Sequence, residues 1–128
     1  MSVQNFQPTL EIGEAITPIV QTLGATETEI LDASKPGWYY QLNGLIISNI
    51  SGVARSVTIY LHADGLAGAA GNTVLGAVNV NANTTYLMFI PITIPAGYTL
   101  SGLASAASAI NVTVTGKYIV EAPLEVQQ

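Results

Sequence analysis

The sequence predicts an all-β protein, a single antiparallel β-sandwich of about eight strands, jelly-roll-like, with an extended N-terminal arm. Apolar residues alternate with polar ones at the two-residue period of strands, turn signals recur about every ten residues, and no helical period of useful length appears. The 128 residues fit one domain. We expect residues 1–24 to form the arm and a first edge segment, residues 25–122 the sandwich, and residues 123–128 a tail.

The N-terminal residues 1–13 contain spaced apolar side chains without a clear period. Phe6, Leu10 and Ile12 predict an extended arm that docks on a neighbouring subunit, with a frayed terminus as the alternative. Pro18 interrupts the next run, residues 15–23, and confines it to a sheet edge or a bend. Residues 26–33 follow as a strand.

The chain is organised around residues 38–63, where two long apolar-rich runs are joined by Ser-Gly-Val-Ala. We expect these runs to form the central antiparallel hairpin. The second run alternates strictly, whereas the first is apolar at most positions from 42 to 50, which predicts a strand covered on both faces. Inside the first run, Asn43-Gly44 predicts a bulge or kink, because the flanks are too long and apolar for a turn.

The C-terminal half continues with strands separated by small-residue and Pro-Ala-Gly turns. Pro91 cuts the run 84–94, which predicts a sheet edge or a crossing between sheets. Residues 98–104 form the next strand. Residues 110–121 show the cleanest alternation, and their first, third and fifth residues are Ile110, Val112 and Val114.

Charge is scarce in this chain. Only 9% of residues are Asp, Glu, Lys or Arg, whereas about 25% is usual. Hydrophobic residues make up 49%, and the mean hydropathy is +0.45. Such a surface is poorly protected against association, so we expect neighbouring subunits to cover much of it. A soluble protein coated with Thr, Asn, Ser and Gln is the alternative.

Several function classes find no support in the sequence. The net charge of −5 argues against a nucleic-acid partner, and no apolar run reaches the ~18 residues of a membrane span. The N-terminus lacks the features of a secretory signal. His62 and Asp64 alone make a very weak metal signal, and the chain has no cysteine. We therefore expect no enzyme, no catalytic residues, no metal and no cofactor; a two-carboxylate glycan hydrolase is the enzymatic rival.

The aromatic cluster Trp38-Tyr39-Tyr40 opens the central run. We favour rings that cap the core at the end of a strand. The rings could instead anchor a subunit contact, where Trp and Tyr are enriched, or stack on sugars.

Two segments carry a resemblance to a known class: TETEILDASKPGWYYQLNGLIISNISGVARSVTIYLH and IPAGYTLSGLASAASAINVTVTGKYIVE. Their order of a strand, a Pro-Gly turn, an apolar strand ending in Asn-x-Ser-Gly, a Thr/Val strand and a final Asn-Val-Thr-Val strand resembles small β-sandwich virion proteins of tailed bacteriophages. The resemblance covers about residues 25–121. It implies head decoration or cement proteins, or tail, baseplate or fibre components.

The resemblance and the low charge together predict a bacteriophage capsid decoration or cement protein that stabilises the head through subunit contacts. We expect it to be made in the host cytoplasm and to reside in the virion. Its expected partners are the major capsid protein or other virion proteins and further copies of itself, as a trimer or dimer. The predicted interface residues are Phe6, Leu10, Ile12, Trp38, Tyr39 and Tyr40. A tail component or a host-glycan-binding module is the alternative.

Overall fold

The computed structural model describes residues 9–33 and 37–123, with side chains described for residues 12–33 and 37–120. Ten strands form two antiparallel sheets. The strands are β1 (Thr9–Ala15), β2 (Ile19–Thr22), β3 (Thr28–Asp32), β4 (Trp38–Asn49), β5 (Arg55–Ala63), β6 (Thr73–Val80), β7 (Thr85–Met88), β8 (Ile92–Ile94), β9 (Tyr98–Ala104) and β10 (Ile110–Pro123). A short 3₁₀ turn, Ala70–Asn72, precedes β6.

The predicted sandwich is confirmed, and the order of its strands is that of a jelly roll. One sheet has the order β1-β10-β4-β7, with β2 also beside β10 and β8 also beside β4; the other has the order β3-β9-β5-β6. Pro18 separates β1 from β2, and Pro91 separates β7 from β8. Because proline has no N–H to donate to a neighbouring strand, each of these two edge strands is interrupted. β1 and β2 share one position beside β10, and β7 and β8 share one beside β4, so the ten strands of the described residues occupy eight positions.

The core lies between the inner faces of the two sheets. Alternate residues of β10 and β4 are fully buried against alternate residues of β5 and β9, as two-sheet packing requires. The residues of this core that are almost fully buried include Leu42, Leu45, Ile47, Val57, Ile59, Leu100, Ile110, Val112 and Val114.

The prediction that residues 38–63 form a central hairpin is wrong. β4 pairs with β10, β7 and β8, whereas β5 pairs with β9 and β6 in the other sheet. Residues 50–54 therefore cross from one sheet to the other. Alternation is identical for a strand in either sheet, so the sequence pattern alone could not separate the two arrangements.

The expected bulge in β4 is present. Thr115 pairs with Gly44 and Gly116 with Leu42, which leaves Asn43 as the extra residue. Gly44 and Gly116 have φ values of 147° and 151°. A Cβ on Gly44 would lie 2.0 Å from the Met88 carbonyl oxygen, and one on Gly116 would lie 2.2 Å from that of Gln41. Glycine is required at both positions because the backbones approach so closely.

The N-terminal segment differs in part from the expected arm. Residues 9–15 form β1, which pairs along its whole length with β10 of the same chain, from Thr9 opposite Pro123 to Ala15 opposite Lys117. Spaced apolar residues in a polar context gave no clear period, so this strand was not predicted. Residues 1–8 lie outside the described residues.

Candidate assembly surfaces

Four of the acidic side chains lie close together along the chain's β3 and β5 segments. Glu27, Glu29, Asp32 and Asp64 lie on or beside β3 and the adjoining end of β5. Residues 65–116, in contrast, contain no Asp, Glu, Lys, Arg or His. This stretch includes β6 to β9 entirely, so these four strands carry no ionised side chains, although Arg55 of β5 is the register partner of Val80 in β6.

His62 belongs to a polar cluster on the outer face of the four-stranded sheet. Its Nδ1 lies 2.9 Å from the carbonyl oxygen of Ala63, within hydrogen-bonding distance. Its Nε2 lies 3.0 Å from Glu27 Oε2 and 3.1 Å from Ser101 Oγ. The other oxygen of Glu27 accepts a hydrogen bond from the Gly68 amide. Glu27 therefore ties the loop after β5 to the segment before β3.

The hydrogen bonds of this cluster determine how Glu27 titrates. Partial burial raises the pKa of Glu27, but hydrogen bonds from Gly68, Ser101 and His62 together outweigh it, so the pKa lies below its ordinary value of 4.5. The carboxylate and His62 form an ion pair when the ring is protonated. The role of this cluster is to fasten two loops, which is a structural role for the histidine.

A pair of carboxylates lies next to this cluster. Thr99 Oγ1 is 2.5 Å from Asp64 Oδ1 and 3.3 Å from Asp32 Oδ1. Burial raises the pKa of Asp32, and the hydrogen bond and negative charge of Asp64 raise it further. Two carboxylates alone do not form a metal site. No group of three or more His, Cys, Asp or Glu able to hold a metal occurs within residues 9–33 and 37–123.

Two of the six predicted interface residues, Ile12 and Trp38, lie in one row at one end of the six-stranded sheet, and Tyr40 lies in the next row. Ile12, Val120 and Trp38 are register partners in a row across β1, β10 and β4. Glu14, Tyr118 and Tyr40 form the next row on the same face.

Stacking holds this end of the sheet together. Trp38 stacks on Tyr118 with ring centroids 5.0 Å apart and an interplanar angle of 3°. The Tyr118 hydroxyl donates to Glu14, and this hydrogen bond raises the pKa of Tyr118. We call Ile12, Trp38, Tyr118 and Val120 the terminal patch.

The remaining predicted residues have other positions. Tyr39 pairs with Ile119 and therefore projects from the opposite face of the sheet from Trp38 and Tyr40. Tyr40 packs against the core. Leu10 lies in β1 opposite Ala122, and Phe6 is outside the described residues. The three consecutive aromatic residues are half-buried and do not share one face of the sheet.

A second surface, at the opposite edge of the six-stranded sheet, was not predicted. Leu87, Phe89 and Ile90 are 50%, 74% and 59% exposed, and we call them the β7–β8 patch. They follow one another where Pro91 breaks the strand. The available sequence signal was the uncharged run that surrounds them, because a strand edge with no charged residue has little protection against association.

The outer face of the six-stranded sheet links the β7–β8 patch to the opposite edge. Val20, Thr113, Ile46 and Leu87 are register partners in one row across four strands. β4 was expected to be covered on both faces. The inner face of β4 is buried. On its outer face Ile46 is only half-buried, and its neighbours in the row are Leu87, which is exposed, and Thr113, which is half-buried. An apolar strand of this kind is typical of a sheet that a further layer covers.

The comparisons with known proteins agree with the fold. A solved structure from Bacillus endospore appendages, described as disulfide-linked pili, is similar over 98% of each chain, with 17% identity and a TM-score of 0.52. A structure from Desmodium yellow mottle tymovirus is similar over 100% of this chain and 96% of that chain, with 14% identity and a TM-score of 0.47. At such identities the likeness to the pilus structure shows a shared fold.

The sequence itself matches no family model, and no curated protein is similar to it. Within the described residues, no helix is long and apolar enough to cross a bilayer.

Proposed function

We propose that this chain is a non-enzymatic structural subunit that assembles with further copies of itself. The observation that carries the proposal is the β7–β8 patch, an apolar surface that the fold leaves uncovered. Its three large side chains lie within four residues of the sequence, and each is at least half exposed. Exposed apolar side chains scattered singly are ordinary, but a contiguous group at an uncharged edge marks an interaction site.

The fold shared with a pilus protein supports the same role. The pili of that neighbour are described as disulfide-linked. This chain has no cysteine, so its subunits have no covalent link of that kind. Its assembly would rest on burial of surface, for which about 1,600 Å² of total area is ordinary in a stable contact.

Within this class, we propose a virion protein of a tailed bacteriophage that decorates and cements the head. The strand-and-turn order of residues 25–121 supports this narrower assignment. The major capsid protein and further copies of this chain are the proposed partners, and a trimer or dimer the proposed unit. The terminal patch would contact a neighbour in the shell.

Self-association of the full chain tests the general proposal. Sedimentation velocity over a wide concentration range is expected to show a rise in mass from the single chain to a defined oligomer. A chain that remains single at the highest concentration reached would contradict the proposal, because the uncovered patch would then have no partner of its own kind.

The narrower assignment needs phage heads assembled without this protein. The purified chain is expected to bind such heads at a fixed number of copies and to raise the temperature at which they open. Deletion of residues 1–8, which leaves β1 intact, is expected to lower the occupancy. Heads that bind none of the chain would contradict the cement role and leave self-assembly untouched.

A further inference from the structure

The edges of the two sheets lie side by side in pairs. β6 and β7 are joined by residues 81–84, and β2 and β3 by residues 23–27. Because such short links keep successive strands close, the β6 edge lies beside the β7–β8 edge, and the β3 edge lies beside the β1–β2 edge. We call the first pair, residues 73–94, the uncharged side and the second pair the acidic side.

The two sides differ in how their edges are protected. On the acidic side, β1 carries Glu14, and β3 carries Glu29 and Asp32. On the uncharged side, no residue of β6, β7 or β8 is charged. In the described residues β6 pairs with β5 alone, and β7 and β8 pair with β4 alone, so both edges have unpaired backbone groups. Natural edges are protected by charges, proline, bulges or very short strands; here β7 and β8 are short and Pro91 lies between them, but the protection by charge is missing.

Exposed apolar side chains occur on both sides, with Ile12 (47%) and Val20 (56%) on the acidic side, but the two most exposed ones among these edges lie on the uncharged side. Leu87, Phe89 and Ile90 belong to the uncharged side, and Phe89 is the most exposed large hydrophobic side chain in the described part of the chain. β7 ends at Met88, and Pro91, immediately after these residues, has no N–H to donate to β4. The uncharged side thus combines open edges with the β7–β8 patch.

We infer that the uncharged side is the surface through which one copy of this chain contacts a second copy. This inference rests on the proposed function. Each copy has a net charge of −5, so two copies repel wherever their carboxylates meet, and the uncharged side is where they approach without that cost. Nucleic acid would need clustered cations, which residues 65–116 do not contain.

Matched lysine substitutions test the inference. Phe89→Lys places a charge in the proposed contact, whereas Leu66→Lys, at a side chain of similar exposure (65%) in the loop after β5, does not. Both changes bring the net charge from −5 to −4, so long-range repulsion falls equally in both. Far-ultraviolet circular dichroism and the thermal midpoint verify the fold of each variant.

We expect Phe89→Lys to weaken self-association by about 30-fold or more, as loss of a central interface side chain does, and Leu66→Lys to leave it unchanged. Wild-type association with equal affinity in both variants would overturn the inference while the proposed function stands. A wild-type chain that never associates would overturn both.

A second measurement does not depend on the effect of lysine. Because the chain has no cysteine, Phe89→Cys and Leu66→Cys each introduce a single thiol. At a protein concentration raised to offset the loss of the phenyl ring, with assembly verified by sedimentation, we expect the thiol at position 89 to react with a maleimide at least tenfold more slowly than in the dilute single chain, and the thiol at position 66 to react equally in both states. Equal reaction at position 89 in the two states would contradict the inference. This outcome is expected if the uncharged side binds a membrane or another protein rather than a second copy.

Discussion

Asn49 shows how a single polar side chain can fix a crossing between sheets. It is 2% exposed. Its Nδ2 donates to the carbonyl oxygens of Val53 (2.8 Å) and Val80 (3.0 Å). Its Oδ1 accepts hydrogen bonds from the Ser51 amide (2.9 Å) and hydroxyl (2.7 Å). The Asn49 side-chain amide thus uses both of its donors and both acceptor positions of its oxygen, and these hydrogen bonds hold residues 50–54 against β6.

Removal of this amide should therefore be costly. Asn49→Ala leaves buried carbonyl and amide groups without partners, and we expect it to lower the free energy of unfolding by about 2–3 kcal/mol. Urea unfolding at low protein concentration measures the change. Asn79→Ala, at an exposed asparagine of β6, serves as the control and should change stability by less than about 0.5 kcal/mol. Equal effects of the two changes would show that the buried network is not what holds the crossing.

Glu27 should make stability depend on pH in one direction. Its pKa is lowered in the folded state, because hydrogen bonds from Gly68, Ser101 and His62 outweigh the effect of burial. A lowered carboxyl pKa contributes stability that is present above the unfolded value and is lost as the pH falls through the folded value.

A variant that cannot ionise isolates this contribution. We expect Glu27→Gln to be less stable than the wild type by about 1 kcal/mol at neutral pH, a figure that allows for the partial exposure of the carboxylate. Thermal unfolding between about pH 7 and 3 should show the gap closing below the ordinary carboxyl range. A gap that stays constant with pH would mean that the charge of Glu27 does not hold the loop.

At the scale of elements, the glycines of the bulge set the course of β4 and β10. Gly116→Ala would place a Cβ 2.2 Å from the Gln41 carbonyl oxygen at a φ of 151°. We expect a loss of about 3 kcal/mol in the free energy of unfolding. Gly76→Ala, in β6 where a new Cβ meets nothing within 4 Å, should be neutral or stabilise by up to about 1 kcal/mol. Chemical denaturation compares the two, and a tolerated Gly116→Ala would disprove the close approach.

Local sequence patterns predicted where the strands lie along the chain better than they predicted which strands pair. The alternation of β10 put Ile110, Val112 and Val114 on one face, and all three are buried, while Pro18 and Pro91 marked both split edges. The β4–β5 connection failed because the sequence of residues 50–54 fits a hairpin or a crossing equally well. Its decisive residue, Asn49, was visible only as part of a common Asn-x-Ser pattern.

The candidate surfaces were predicted in part, for a similar reason. Trp38 was selected as an aromatic residue and Ile12 as an apolar residue of the arm, and the register with β10 places them in one row. The prediction missed Phe89, because a continuous apolar run indicates a strand without indicating which of its residues the rest of the fold will cover. That depends on the position of the strand at a sheet edge, which is a property of the topology.

At the scale of the whole molecule, the distribution of charge determines how association should respond to salt. The net charge is −5, and the proposed contact contains no ionised group. Salt screens the repulsion between copies without weakening an uncharged contact. We therefore expect self-association to strengthen as salt rises from about 0.05 to 0.5 M, where the Debye length shortens from roughly 14 to 4 Å.

The same titration with Leu66→Lys controls for net charge, since a less negative chain should show a smaller response to salt. Light scattering or sedimentation gives the association constant at each ionic strength. If association weakened as salt increased, ion pairs would have to hold the copies together, and the uncharged side would lose its role.

The ladder between β1 and β10 has a consequence for the connectivity of the chain. Thr9 and Pro123 face each other across that ladder, so a short linker could close the polypeptide into a ring without moving either strand. New ends could then be opened beside Gly71, in an exposed turn with open space around it. Such a circular permutant should keep both sheets and would display a fused cargo at a different corner of the sandwich.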